Sequence, residues 1–121
     1  MALEPNPLSY KLALENVKIN QGVSNVVTIL NAGYGKDGTV RVDQKFISTS
    51  MDLKSSDVGE SIQIFSLKTL FREAKVEGRV VLKMDCEGCE YNLLDEDDEM
   101  LRRFDQIAIE YHYGLERLVK S

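Results

Sequence analysis

Proline is nearly absent from the chain, and the 2 it has stand at positions 5 and 7. No later proline can supply the cis-proline that a thioredoxin fold sets against its C-x-x-C pair, which counts against that fold for Cys86 and Cys89. Histidine is scarcer still, His112 being the only one. A structural tetrahedral zinc site needs four ligands, so two cysteines and one histidine fall short, and no metal site is assigned. Basic residues are in deficit as well: 15 Lys and Arg face 20 Asp and Glu, for a net charge of -5. No cation surplus is available to displace counterions from a phosphate backbone, so no nucleic-acid partner is expected. No run approaches the roughly 18 apolar residues of a membrane span, and the N-terminus lacks the charged-then-apolar layout of a signal peptide. No membrane association and a cytoplasmic location are expected. Internal repeats and low-complexity segments are missing too.

What is present is ordinary for a soluble domain, with 43% hydrophobic and 29% charged residues, and the length suits one domain over residues 1–121. The organising stretch is residues 79–94, RVVLKMDCEGCEYNLL. Val80, Val81, Leu82 and Met84 form an apolar run interrupted only by Lys83, and its length and β-branched content predict a strand buried on both faces of a parallel sheet. Asp85, Cys86, Glu87, Gly88, Cys89 and Glu90 follow, and then a helix is expected through Tyr91, Leu93 and Leu94. Carboxylates and thiols thus crowd the carboxyl end of a strand, where open α/β sheets bind ligands.

In chain order, residues 1–4 read as the end of a strand, and Asn6-Pro7 announces a helix with Asn6 as N-cap and Pro7 at the first helical position. Within it Leu8 and Leu12 repeat at i, i+4, and Tyr10, Leu14 and Val17 at i, i+4, i+7. A strand over 26–30, a glycine-rich turn over 31–38 and a strand over 39–47 follow, then a polar surface loop over 48–60. Residues 61–65 alternate as a short strand, Ser66 caps a helix with Leu67, Leu70, Phe71 and Ala74 on its apolar face, and Gly78 is expected to end it. After the central strand, the acidic run 95–99 suits the start of a helix and Arg102 and Arg103 its end. Residues 106–113, QIAIEYHY, close as a strand bearing Glu110 and His112. Strands alternating with helices predict an α/β fold with a mostly parallel sheet covered on both faces.

Gly33, Gly35 and Gly38 spell G-x-G-x-x-G after a predicted strand. A dinucleotide fingerprint needs the last glycine to open a helix, yet Thr39, Val40, Arg41 and Val42 continue as strand, so Lys36-Asp37-Gly38 reads as a hairpin turn. Cys86 and Cys89 have three readings: small residues at a tight turn, a redox pair whose thiols a helix N-terminus activates, or half a metal site. Asp85, Glu87, Glu90, Glu110 and His112 converge if the strands ending at Asp85 and His112 are neighbours, which one short helical crossover implies. A carboxylate beside a histidine raises its basicity and orients it as a general base for a hydroxyl. The same rim of acids suits Mg²⁺ or Ca²⁺ as an alternative.

On these residues the chain resembles the FkbM-type S-adenosylmethionine-dependent methyltransferases. LEPNPLSYKLALENVKIN is similar to that family's second-strand end and following helix, NAGYG to its third-strand turn, LKMDCEGCEYNLL to its fourth-strand signature K-x-D-x-E-G-x-E, and IAIEYHYG to its fifth strand. The resemblance implies a Rossmann-like class I fold, S-adenosylmethionine as cofactor, and methyl transfer to an oxygen of a small-molecule or glycan hydroxyl acceptor. It places Glu4 on the cofactor's ribose hydroxyls, and Asn31, Ala32 and Gly33 on the turn bordering its adenine. Asp85, Glu87, Gly88 and Glu90 fall beside the transferred methyl, and His112 where the family often has a histidine or polar residue.

In that family a first strand and a glycine-rich loop precede the second strand, whereas 3 residues precede Glu4 here. The sixth and seventh strands have no counterpart after Tyr113. The expectation is therefore an incomplete Rossmann-like sheet, a fragment weakly active or inactive alone, and a homo-oligomer that covers the exposed strand edges. The alternatives are a non-catalytic remnant that self-associates and a thiol-disulfide redox protein using Cys86 and Cys89.

Overall fold

The computed structural model describes residues 1–42, 59–114, 116 and 118. The loop expected over 48–60 lies outside the described residues up to residue 58, as do residues 43–47 of the strand before it. The fold is α/β, with small parallel and mixed sheets and helices, and the chain divides into two compact units, Met1–Phe65 and Ser66–Ser121. No helix among the described residues is long and apolar enough to cross a membrane.

In the first unit β1 (Ala2–Leu3) pairs in parallel with β2 (Ile29–Leu30). Between them runs α1 (Pro7–Ile19), which starts where the sequence says it should. The Asn6 side-chain oxygen accepts from Leu8 N–H at 2.9 Å and Ser9 N–H at 3.2 Å, satisfying two of the free donors at the helix start. Asn6 is 5% exposed, so water cannot replace those bonds. Asn6→Ala is expected to cost about 1 kcal/mol, read as a lowered urea midpoint with an unchanged slope. An unchanged midpoint would show that the cap is not a source of stability.

The strand expected over 26–30 is shorter than the sequence suggests. Val26 and Val27 give their N–H groups to Val23 O at 3.0 and 3.1 Å, so a turn holds that backbone, and Val26 is 76% exposed. The glycine-rich segment also differs. β3 (Ala32–Tyr34) is a buried strand, parallel to β5 (Glu60–Phe65), and the turn begins only at Gly35. β4 (Gly38–Val42) pairs antiparallel with the other edge of β5, giving the order β3-β5-β4. The expected turn at Lys36-Asp37-Gly38 therefore exists, but not as a hairpin, because β5 lies between the strands it joins. The alternation read in β5 is real: Ile62 and Ile64 are buried while Ser61 and Gln63 face outward.

In the second unit Ser66 caps α2 (Leu67–Ala74), accepting from Thr69 N–H at 3.2 Å. The apolar face buries Leu67 and Phe71, with Phe104 5.2 Å from Phe71 between ring centroids and the Arg103 guanidinium 4.1 Å from the Phe71 ring centre. The helix ends at Lys75, which takes the left-handed conformation itself at φ 48°, before Gly78 is reached. β6 (Val81–Met84) pairs in parallel with β7 (Gln106–Ile109). It is not buried on both faces as expected: Val81 is 62% exposed, and among the described residues β7 is its sole partner. The helix expected after Asp85 is a 3-10 turn, Cys89–Asp95, and the acidic run opens the short α3 (Asp98–Leu101) with Asp98 and Glu99 in its first turn.

Candidate functional site

Parallel pairing of β6 with β7 decides where the reactive side chains meet. The register runs from Val81 opposite Gln106 to Met84 opposite Ile109, and Glu110 N–H donates to Met84 O at 2.9 Å. Both strands therefore end side by side, and the residues that follow, Asp85 to Glu90 on one and Glu110 to His112 on the other, share one rim. The opposite end is closed by Asp105, whose N–H donates to Val80 O and whose carboxylate accepts from Val80 N–H, each at 2.7 Å.

Glu90 is the hub of this rim and is 0% exposed. Its Oε2 accepts from Gly88 N–H at 2.8 Å, and its Oε1 accepts from His112 N–H at 3.1 Å and lies 3.0 Å from His112 Nδ1. Burial alone pushes the Glu90 carboxyl up. Hydrogen bonds from its own backbone N–H, the His112 ring and the N–H groups of Gly88 and His112 outweigh that and hold it below its ordinary value of 4.5. An ionised carboxylate only accepts, so Nδ1 carries a proton and Nε2 is left to exchange one.

Nε2 faces a ring of acids: Glu87 Oε1 at 3.3 Å, Asp85 Oδ1 at 3.6 Å and Glu110 Oε1 at 3.9 Å. The His112 side chain keeps 16% of its surface exposed. Its imidazole is held above the ordinary value of 6.5, chiefly by the hydrogen bond to Glu90, against burial and with help from the charges of Glu87, Glu90 and Asp85. A group raised in the folded state stabilises fully below its unfolded value, and that contribution disappears as pH rises through the folded one. Melting temperature is therefore expected to fall as pH climbs from 6.5 through the folded value, with His112→Gln flattening that limb. Identical profiles for the two proteins in circular dichroism melts would refute the coupling.

The four residues expected to be catalytic, Asp85, Glu87, Glu90 and His112, are thus brought together in the second unit. Asp85, Glu87 and His112 also present ligand atoms within 4.8 Å of one another, a spacing a divalent cation can span. Cys86 and Cys89 are joined as a disulfide with Cα atoms 5.4 Å apart. Sequence reasoning missed the aromatic clamp: Tyr91 OH accepts from Tyr113 N–H at 2.9 Å and donates to Gly114 O at 3.2 Å. Nothing in the spacing of two half-exposed tyrosines signals that pairing.

The residues expected at the cofactor lie in the first unit. Glu4 follows β1 and extends its ladder, with its N–H on Leu30 O at 3.0 Å. Its Oε1 accepts from Asn6 N–H at 3.0 Å, while Oε2 has no hydrogen bond among the described residues. The Asn31 amide donates to Glu4 O at 2.9 Å and Pro5 O at 3.1 Å, tying the ends of β1 and β2 together. Ala32 and Gly33 are buried within β3 rather than on a turn. A carboxylate has about four acceptor sites, so Glu4 retains capacity for a ribose diol beyond its bond to Asn6, and in this respect the residues present fit the nucleoside.

A family model described as the Methyltransferase FkbM domain matches residues 1–118. No curated protein and no solved structure matches the chain.

Proposed function

From the premise that the chain belongs to the FkbM methyltransferase family, we propose that it serves methyl transfer from S-adenosylmethionine to a hydroxyl oxygen, with His112 as general base. We also read each parallel pair by itself, β1-β2 in the first unit and β6-β7 in the second, as pairing of the Rossmann-like kind. The observation that carries the proposal is the Glu90-His112 pair at the joint carboxyl end of β6 and β7, in a chain matched almost throughout.

S-adenosylmethionine, when bound, supplies a methyl group on a sulfonium, an electrophile that a deprotonating oxygen can attack. Glu4 would accept from the ribose hydroxyls. His112 Nε2 would take the acceptor's proton, while Glu90 holds Nδ1–H and steadies the imidazolium that results. Asp85, Glu87 and Glu110 favour that imidazolium further through their charge. Because the imidazole is raised, the base becomes available only as pH rises through its folded value.

The test is a nitrogen-15 amide NMR titration of the chain with S-adenosylmethionine up to about 5 mM, enough to see a Kd near 1 mM, or about −4 kcal/mol. Shifts centred on Glu4 and Asn31 support the cofactor reading; an unmoved spectrum rejects it. Thiol-disulfide exchange by Cys86 and Cys89 is the second reading, favoured by the disulfide itself.

A further inference from the structure

The Cys86–Cys89 disulfide encloses only Glu87 and Gly88, and both have positive φ, 55° and 121°. That pair touches Glu90 through Gly88 and His112 through Glu87. Gly88 N–H is the donor to Glu90 Oε2 at 2.8 Å, and the Glu87 carboxylate stands 3.3 Å from His112 Nε2. Cys86 Sγ itself lies 3.4 Å from Glu90 Oε2. A cross-link between residues 3 apart in sequence closes a very short loop, the end of the scale where such bonds constrain the unfolded chain least. Its mechanical effect on the turn is larger. A non-glycine residue at φ 55° is in an uncommon region, and a closed ring of four residues gives it little room to leave.

We propose that Cys86 and Cys89 are a reversible thiol-disulfide site, reduced by dithiols, whose state sets the geometry of the Glu90-His112 pair. Reduction breaks the S–S bond with two electrons and two protons, giving two thiols, while the reducing dithiol closes to its own disulfide. With the ring open, Glu87 relaxes to a common backbone conformation, carrying its carboxylate away from Nε2 and the Gly88 N–H away from Glu90. The Cys86 thiol, unlike the disulfide sulfur, has a proton to give to Glu90 Oε2. Removal of the Glu87 carboxylate from Nε2 makes His112 a weaker base, while the thiol at Glu90 Oε2 takes the place of the departed Gly88 N–H. Both cysteines are half-buried, so a reductant can reach them. The consequence for methyl transfer rests on the function proposed above; the site itself does not.

His112 is the only histidine, so its ring proton resonance reports the pair without ambiguity. Its titration is followed by NMR in the full chain without cofactor, oxidised with glutathione disulfide and reduced with dithiothreitol, thiols being counted in each state. The charged neighbours that bear on the midpoint are Asp85, Glu87, Glu90 and Glu110. The expected result is a midpoint lower in the reduced chain by at least about half a unit, roughly threefold in proton affinity. Cys86→Ser/Cys89→Ser should follow the reduced curve under both reagents. Coincident curves with a changed thiol count would overturn the proposal, as would a disulfide that dithiothreitol leaves closed in the folded chain. A redox-sensitive midpoint in a chain that ignores S-adenosylmethionine would uphold this site and defeat the methyl-transfer reading; cofactor binding with a redox-blind midpoint would do the reverse.

Discussion

Glu90→Gln is expected to destabilise the chain by about 2–4 kcal/mol and to lower the His112 midpoint. The carboxylate accepts from Gly88 N–H on one oxygen and from His112 N–H and Nδ1–H on the other. Glutamine has one acceptor oxygen. Turned towards His112, it aims its NH₂ at Gly88 N–H; turned the other way, it leaves both His112 donors facing a donor. Either way at least one N–H is orphaned in a place where Glu90 has 0% exposure, and each orphan costs roughly 1–3 kcal/mol. Glu90→Ala removes every acceptor and leaves a cavity besides, so it should cost more. The pH dependence separates charge from shape. Because the Glu90 carboxyl is held below 4.5 in the fold, its contribution is complete above that value and is lost as pH falls through the folded one. Wild type and Glu90→Gln should therefore converge in acid, in urea unfolding followed by circular dichroism. A gap that stays constant across the pH range in which Glu90 becomes protonated would mean that shape, not charge, makes Glu90 matter.

The convergence at this rim was legible in the sequence because it needs only two local facts, acids and a histidine just after two apolar runs, and one topological rule. The division of labour was not. Asp85, Glu87 and Glu90 look alike as letters, and only the register of β6 on β7 puts Glu90 beneath the ring at Nδ1 while the other two stand at Nε2. Caps were equally readable, since Asn6-Pro7 and Ser66 act on donors two or three residues away. Features set by distant partners were not. Ala32 to Tyr34 became strand because β5, some 30 residues on, offers an edge with matching register, and no periodicity in NAGYG announces that. The same holds for Val81, expected to be buried from its type yet 62% exposed, because burial depends on what lies opposite rather than on the residue.

Gly88→Ala tests the turn from its backbone side and is expected to cost about 2–3 kcal/mol. At φ 121° and ψ −16° Gly88 occupies a region that L side chains rarely adopt. A Cβ built there would also come within 2.9 Å of Tyr113 Cε2. These two penalties are separable. Tyr113 is 51% exposed, and its hydroxyl reaches Glu87 O only at 3.5 Å, so its ring can move aside at little cost. The backbone penalty has no such relief, and any rotation that eases it swings the 88 N–H off Glu90. Tyr113→Ala in the Gly88→Ala background should therefore restore at most a few tenths of a kcal/mol, the scale of ordinary non-additivity. A double variant as stable as Tyr113→Ala alone would assign the whole effect to the ring and leave the backbone argument without support. If the backbone dominates instead, the His112 midpoint should shift down in Gly88→Ala with Tyr113 present or absent, since in both the donor that helps keep Glu90 ionised has been displaced.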